Sequence, residues 1–140
     1  MWISGWSIDE FGHLQGTDLD GLTEGVNVVL GPNESGKTTM VHFLRWVLFG
    51  FPHGRTLAVQ KYRRGSAIIG GRVRVVHDCR TISVQRHFGD DRPGLSGTDG
   101  SALAHMAWSD VVGTAGRELF ETVFAITTDE LNSFAELNTD

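Results

Sequence analysis

The chain has 140 residues and a formal net charge of −5, enough length for one compact domain with a real core and no need of disulfides or a structural metal. Its acidic balance excludes a protein that coats nucleic acid through bulk positive charge, so any DNA contact has to be local. A single cysteine, Cys79, no basic-plus-apolar leader and no apolar run long enough to span a bilayer make a reducing cytoplasm the expected compartment and exclude a membrane partner.

In chain order, residues 1–14 mix β-formers with polar residues, and Trp2, Ser4, Trp6 and Ile8 share a face if the segment is extended. That predicts a first strand. "GTDLDGLTEG" is turn-rich. "VNVVL" (26–30) is a β-branched run with little polar alternation, as expected of a strand covered on both faces. Met40, Phe43, Leu44, Val47, Leu48 and Phe51 then recur at helical spacing, with Thr39, His42 and Arg45 off the stripe. Gly50, Pro52 and Gly54 stop this helix. Residues 57–71 read as an exposed connection carrying Lys61, Arg63 and Arg64. "RVRVVH" and "RTISVQRHF" read as a hairpin around Asp78-Cys79, with Val73 and Val75 on one face, Ile82, Val84 and Phe88 on another, and Arg72 and Arg74 toward solvent. Residues 89–100 have the composition of a flexible loop. A helix is expected from Ser109 as N-cap, a strand at 123–126, and the start of another helix in the tail.

Between the apolar run and the helix lies Gly31-Pro32-Asn33-Glu34-Ser35-Gly36-Lys37-Thr38, which satisfies G-x-x-x-x-G-K-[ST] in the strand–loop–helix setting that the chemistry needs. The glycines let the backbone wrap phosphates, so that its N–H groups and the helix N-terminus face negative charge. Lys37 would reach the β- and γ-phosphates, Thr38 would ligate Mg²⁺, and Thr39 could bond the α-phosphate. ATP and Mg²⁺ are therefore the expected cofactors, held by residues 31–39.

Other chemistry has little support. The six histidines have no metal-ligand spacing, and no nucleophile motif surrounds Cys79. Hydrolysis needs an acid at a strand end to hold Mg²⁺. Asp129 and Glu130, after the apolar run 123–126, are the better candidates; Asp78, in a predicted turn, is weaker.

Together, "GPNESGKTT" (31–39), "FLRWVLFGF" (43–51), the paired glycines of "GGRVRVV" (70–76), "ISVQRHFG" (82–89) and "LFETVFAITTDEL" (119–131) resemble the N-terminal part of YhaN-type ATPases, relatives of the SbcC, SMC and RecF proteins. The resemblance spans nearly the whole chain. It implies an α/β fold, the N-terminal lobe of a P-loop NTPase of ABC head type, with a mixed β-sheet, a β-hairpin layer and flanking helices. Residues 1–140 would form that lobe, and 129–140 would begin the helix leading into a coiled coil. The implied partners are a C-terminal lobe of the same ATPase, which brings the signature motif and the strand-end acids, a second head that completes the ATP sandwich, and DNA. "LSGT" (95–98) shares letters with that signature but lacks its second Gly and its Gln. The segment 127–130 corresponds to the family's Q-loop, yet reads Thr-Thr-Asp-Glu instead of presenting a glutamine. An arginine of 61–64 would match a basic residue near nucleotide or DNA. Two other functions fit the residues: a self-sufficient small P-loop kinase or NTPase using Asp129 or Glu130, and a non-catalytic remnant.

Overall fold

The computed structural model describes residues 1–52, 57–64 and 68–113. Among these residues five strands, β1 (Trp2–Phe11), β2 (Leu14–Asp20), β3 (Gly70–His77), β4 (Arg80–His87) and β5 (Gly94–Ser96), form one sheet in the order β2-β1-β3-β4-β5. Every pairing within it is antiparallel. Helix α1 (Lys37–Phe49) packs on one face, and two short helices, α2 (Leu57–Lys61) and α3 (Trp108–Val112), flank it. Sheet and helices together fit an α/β domain.

The β3–β4 hairpin forms as its alternation predicts. Val73 faces Val84 and Val75 faces Ile82 across the ladder, so the two apolar sets make one wall rather than two. Asp78 and Cys79 both take positive φ, 48° and 60°, the type I′ requirement for a two-residue hairpin whose twist matches its strands. Gly70 and Gly71 sit where backbones crowd: a methyl on Gly71 would lie 2.2 Å from Ser7 O, and one on Gly70 2.3 Å from Arg86 O. Only a residue without Cβ lets the neighbouring strands close at this point.

The predicted first strand becomes two. β1 ends at Phe11, the chain turns at Gly12-His13, and β2 returns through a segment that reads as turns because it is polar and mostly exposed. Arg74 crosses the outer face of this hairpin from β3, with Nη2 2.6 Å from Asp20 Oδ1 and 3.1 Å from Leu19 O.

Helix α1 buries its predicted stripe through Phe43, Val47 and Leu48, but also Trp46 and Arg45. Burial of Trp46 follows from a second cover. Tyr62, just after α2, stacks on Phe11 at 4.7 Å and meets Trp46 edge-on at 5.3 Å, filling the flank that the periodicity leaves to solvent. Residues 57–62 are thus a short helix and an anchor: Val59 and Tyr62 are buried, while Lys61, Arg63 and Arg64 are exposed as expected. α3 begins one residue before Ser109, with Ala107 as N-cap and Asp110 Oδ2 accepting from Ala107 N. Trp108 Nε1 donates to Leu48 O at 2.6 Å, which ties α3 to the end of α1. The predicted continuation beyond 113, the strand at 123–126 and the tail helix lie outside the described residues.

Residues 26–30 depart most from expectation. They form no strand, and Val26, Val28 and Leu30 are 93%, 73% and 87% exposed. A β-branched run becomes a strand only where a neighbour pairs its backbone and a layer covers its side chains. Among the described residues it has neither.

Candidate functional site

Residues 31–39 come together at the N-terminus of α1. Gly36 is its N-cap, with φ 99°, and the first helical hydrogen bond runs from Met40 N to Gly36 O at 2.8 Å. The N–H groups of Lys37, Thr38 and Thr39 therefore have no acceptor within the helix. No acidic side chain occupies the first turn, so the partial positive charge of this end is unopposed there.

The loop before it is tightly folded. Ser35 N donates to Pro32 O at 3.3 Å, and Glu34 adopts φ 66°. A methyl on Gly31 would meet Ser35 Oγ at 2.6 Å and Ser35 Cβ at 3.3 Å, so the Ser35 side chain packs directly over the first glycine. Lys37 Nζ donates to both Gly31 O and Pro32 O at 2.7 Å, drawing the two ends of the loop together. Asn33, Glu34, Ser35, Lys37 and Thr38 are exposed and Thr39 is half-buried. The loop thus presents free N–H groups, an ammonium and a hydroxyl, a set that suits a polyphosphate and its divalent ion.

A cleft of about 330 Å³ opens between the β1–β2 hairpin and this loop, lined by Trp6, Leu14 and Leu19 on one side and by Leu30, Lys37 and Met40 on the other. Asp18 also lines it. Its carboxyl is held below the ordinary value of 3.8, first by the donated Ser7 hydroxyl and then by the Arg74 charge, against the opposing effect of desolvation.

The other predicted site residues are placed differently. Arg64 N donates to Glu10 Oε1 at 3.3 Å, and Gly12 N donates to Tyr62 O at 2.7 Å, so the basic segment 61–64 joins the same end of β1 that approaches the loop. Asp78 sits in the turn that follows β3, and β3 runs antiparallel to β1. Eight strand residues at roughly 3.3 Å each put it about 26 Å along the sheet from the turn at Gly12, which removes it as the Mg²⁺ acid. Asp129 and Glu130 lie outside the described residues. Among the described residues no group of three His, Cys, Asp or Glu side chains gathers to hold a metal, and no described helix is long and apolar enough to cross a membrane.

Sequence reasoning missed His13 and Leu14. A methyl on Gly36 would lie 2.7 Å from His13 Nε2 and 3.0 Å from Leu14 Cδ2, so the β1–β2 turn rests directly on the last loop residue. The signal was Gly12 within an alternating pattern, which marks a turn or a close backbone approach.

Among curated proteins, this chain is similar to the DNA replication and repair protein RecF of Erwinia tasmaniensis, 28% identical over 109 residues covering 71% of this chain. The chain spans about 28% of that relative's length. A family model described as an AAA domain matches residues 1–137. This match and the RecF likeness together point to an N-terminal ATPase domain of the RecF and SMC kind, as the motifs at 31–39 and 119–131 suggest. With almost every residue inside that match, the chain belongs to the AAA-domain family.

Proposed function

We propose that residues 31–39 bind ATP with Mg²⁺ and that the chain is the N-terminal lobe of a YhaN-like head ATPase. The observation that supports this most directly is the closed loop at the start of α1, where three free N–H groups, the Lys37 ammonium and the Thr38 hydroxyl share one exposed surface. Lys37 holds the loop carbonyls of Gly31 and Pro32 and lies within reach of an incoming phosphate chain. Thr38 supplies the hydroxyl for Mg²⁺, which when bound screens the charge between phosphates. Gly36 lets the chain turn into α1 with its N–H groups aimed outward.

The exposed Val26–Leu30 run belongs, in this reading, to a sheet completed by the C-terminal lobe, and 129–140 lead toward the intervening coiled coil. That lobe and a second head supply the residues that orient the attacking water, so the 140-residue chain binds nucleotide and does not turn it over. The likeness to a DNA replication and repair protein supports DNA as the macromolecule on which the assembled ATPase acts, with Lys61, Arg63 and Arg64 as the local basic contact.

Thermal unfolding followed by circular dichroism, with and without ATP·Mg²⁺, tests the binding step. At a ligand concentration near 100 times Kd the folded state gains about 2.7 kcal/mol, so the midpoint rises by several degrees. Lys37→Ala abolishes the rise. An unchanged midpoint in the wild type, or an equal rise in the variant, sinks the reading.

A further inference from the structure

We propose that the groove between β5 and α3 docks an acidic peptide segment of a partner protein, anchored there by a large apolar side chain. The site is separate from the phosphate loop and stands without the nucleotide reading.

Residues 92–95 and 102–108 form this groove, whose volume is about 620 Å³. Its floor is apolar. Leu95, Leu103, Met106 and Trp108 pack against the core yet are only half-buried, so each leaves part of its surface open in the groove. The floor is also held in place. Leu103 N donates to Leu95 O at 2.9 Å, Met106 N donates to Leu103 O at 3.0 Å, and the bond from Trp108 Nε1 to Leu48 O fastens the α3 side to α1. Leu48 lies about 16 Å along α1 from Lys37 at 1.5 Å per residue, which sets the groove well away from the phosphate loop.

Arg92 and His105 line the groove, both exposed and both without a hydrogen-bond or ion-pair partner among the described residues. Among the described residues no carboxylate lines it. Of the acids close by in the chain, Asp90 Oδ2 accepts from His87 N and Asp110 Oδ2 accepts from Ala107 N, while Asp91 is exposed outside the lining. A chain of net charge −5 repels an acidic partner overall, so such a partner gains most where donors stand without acids. One arginine and one imidazole do not track a phosphate backbone. An apolar floor beside a cation instead suits carboxylates that flank an aromatic or aliphatic anchor. The backbone adds a further contact: Ala104 and His105 are exposed, and neither makes a backbone hydrogen bond among the described residues, so both can bond a peptide laid along the groove.

The test follows the fluorescence anisotropy of a labelled peptide that alternates Asp with Phe and Leu, titrated with the 140-residue chain. The wild type should bind it, less tightly as salt rises, and should bind at least about tenfold more weakly when Lys replaces Asp or Ser replaces Phe and Leu. Arg92→Glu removes the cation and adds a like charge; it should weaken the Asp peptide about tenfold and bind the Lys peptide more tightly than the wild type does. Ala104→Trp fills the groove from an exposed position and should abolish binding with an unchanged circular dichroism spectrum. Lys37→Ala should bind the peptide as the wild type does. No binding by the wild type, or wild-type affinity in both Arg92→Glu and Ala104→Trp, overturns the proposal. Loss of the peptide in Lys37→Ala also overturns it, because the carboxylates then occupy the phosphate loop. So does a groove that takes duplex DNA in place of the peptide, with the DNA lost in Arg92→Glu.

Discussion

Two stretches of nearly the same composition have opposite fates in this molecule. Val73-Arg74-Val75-Val76 lies in β3, with Val73 and Val75 fully buried; Val26-Asn27-Val28-Val29 precedes the phosphate loop and stands exposed. β3 is flanked by β1 and β4 and covered by α1, so each backbone group has a ladder partner and each inward valine a wall. The earlier stretch holds itself only locally, through Asn27 and its hydrogen bonds to Thr23 and Gly25. β-propensity selects residues that fit a pleated surface, and the neighbours decide whether that surface exists. The antiparallel sheet with α1 is thus a core that closes on itself, while the run leading into the loop is uncovered among the described residues.

The sharpest way to break this comparison is to place a carboxylate in each stretch. Val73→Asp puts an unpaired charge where the wild-type side chain has no solvent contact, and should cost more than about 4 kcal/mol and remove the cooperative thermal transition. Val28→Asp should shift stability by no more than about 0.5 kcal/mol in the same assay, because its side chain is already in water. If the C-terminal lobe covers residues 26–30, Val28→Asp in the longer protein should lose several degrees of melting temperature. Equal tolerance there would mean that this run has no partner in the head.

The next effect concerns closure of the sheet. Gly71→Ala places a methyl 2.2 Å from Ser7 O and 3.1 Å from Ile8 Cα, both backbone atoms that cannot rotate away. β1 must move off β3, and urea unfolding should show a loss of about 2–3 kcal/mol with an unchanged slope. Gly89→Ala is a useful contrast: nothing stands within 4 Å of the added methyl, so any cost comes from its positive φ alone.

These contrasts also show why parts of the fold were legible in the sequence and others were not. The β3–β4 hairpin was readable because alternation and a short turn determine both strands at once. The α1 stripe was readable at Met40, Phe43, Leu44, Val47 and Leu48, but Trp46 is covered by Tyr62, brought in by a five-residue helix too short to leave a periodic signal. β2 was hidden because its polar residues face water and its strand character comes from pairing with β1. Residues 26–30 were misread for the opposite reason: a local pattern reports what a segment can bury, not whether a partner is present. At the site, the phosphate loop is contiguous and carries its own signature. His13 is a lone histidine 23 positions before Gly36, and only the closure of the β1–β2 turn onto α1 joins them.

The smallest effect lies at the edge of the sheet, where charged contacts on the outer face of the β1–β2 hairpin supplement its ladder and its buried β1 side chains. Arg74 reaches Asp18 and Asp20, and Ser7 donates to Asp18. Because these contacts favour the ionised carboxylate, the folded protein holds the Asp18 pKa below its ordinary 3.8, and near that pH the unfolded chain binds more protons than the folded one. The contribution of Asp18 to stability is therefore complete above the ordinary value and is lost as pH falls through the lower folded value. Asp18→Asn should be slightly less stable than the wild type between about pH 5 and 7, and the two unfolding curves should converge as the pH drops below about 4. A gap that persists undiminished into strong acid would show that shape or amide bonding at this position, and not the carboxylate charge, holds β2 to the sheet.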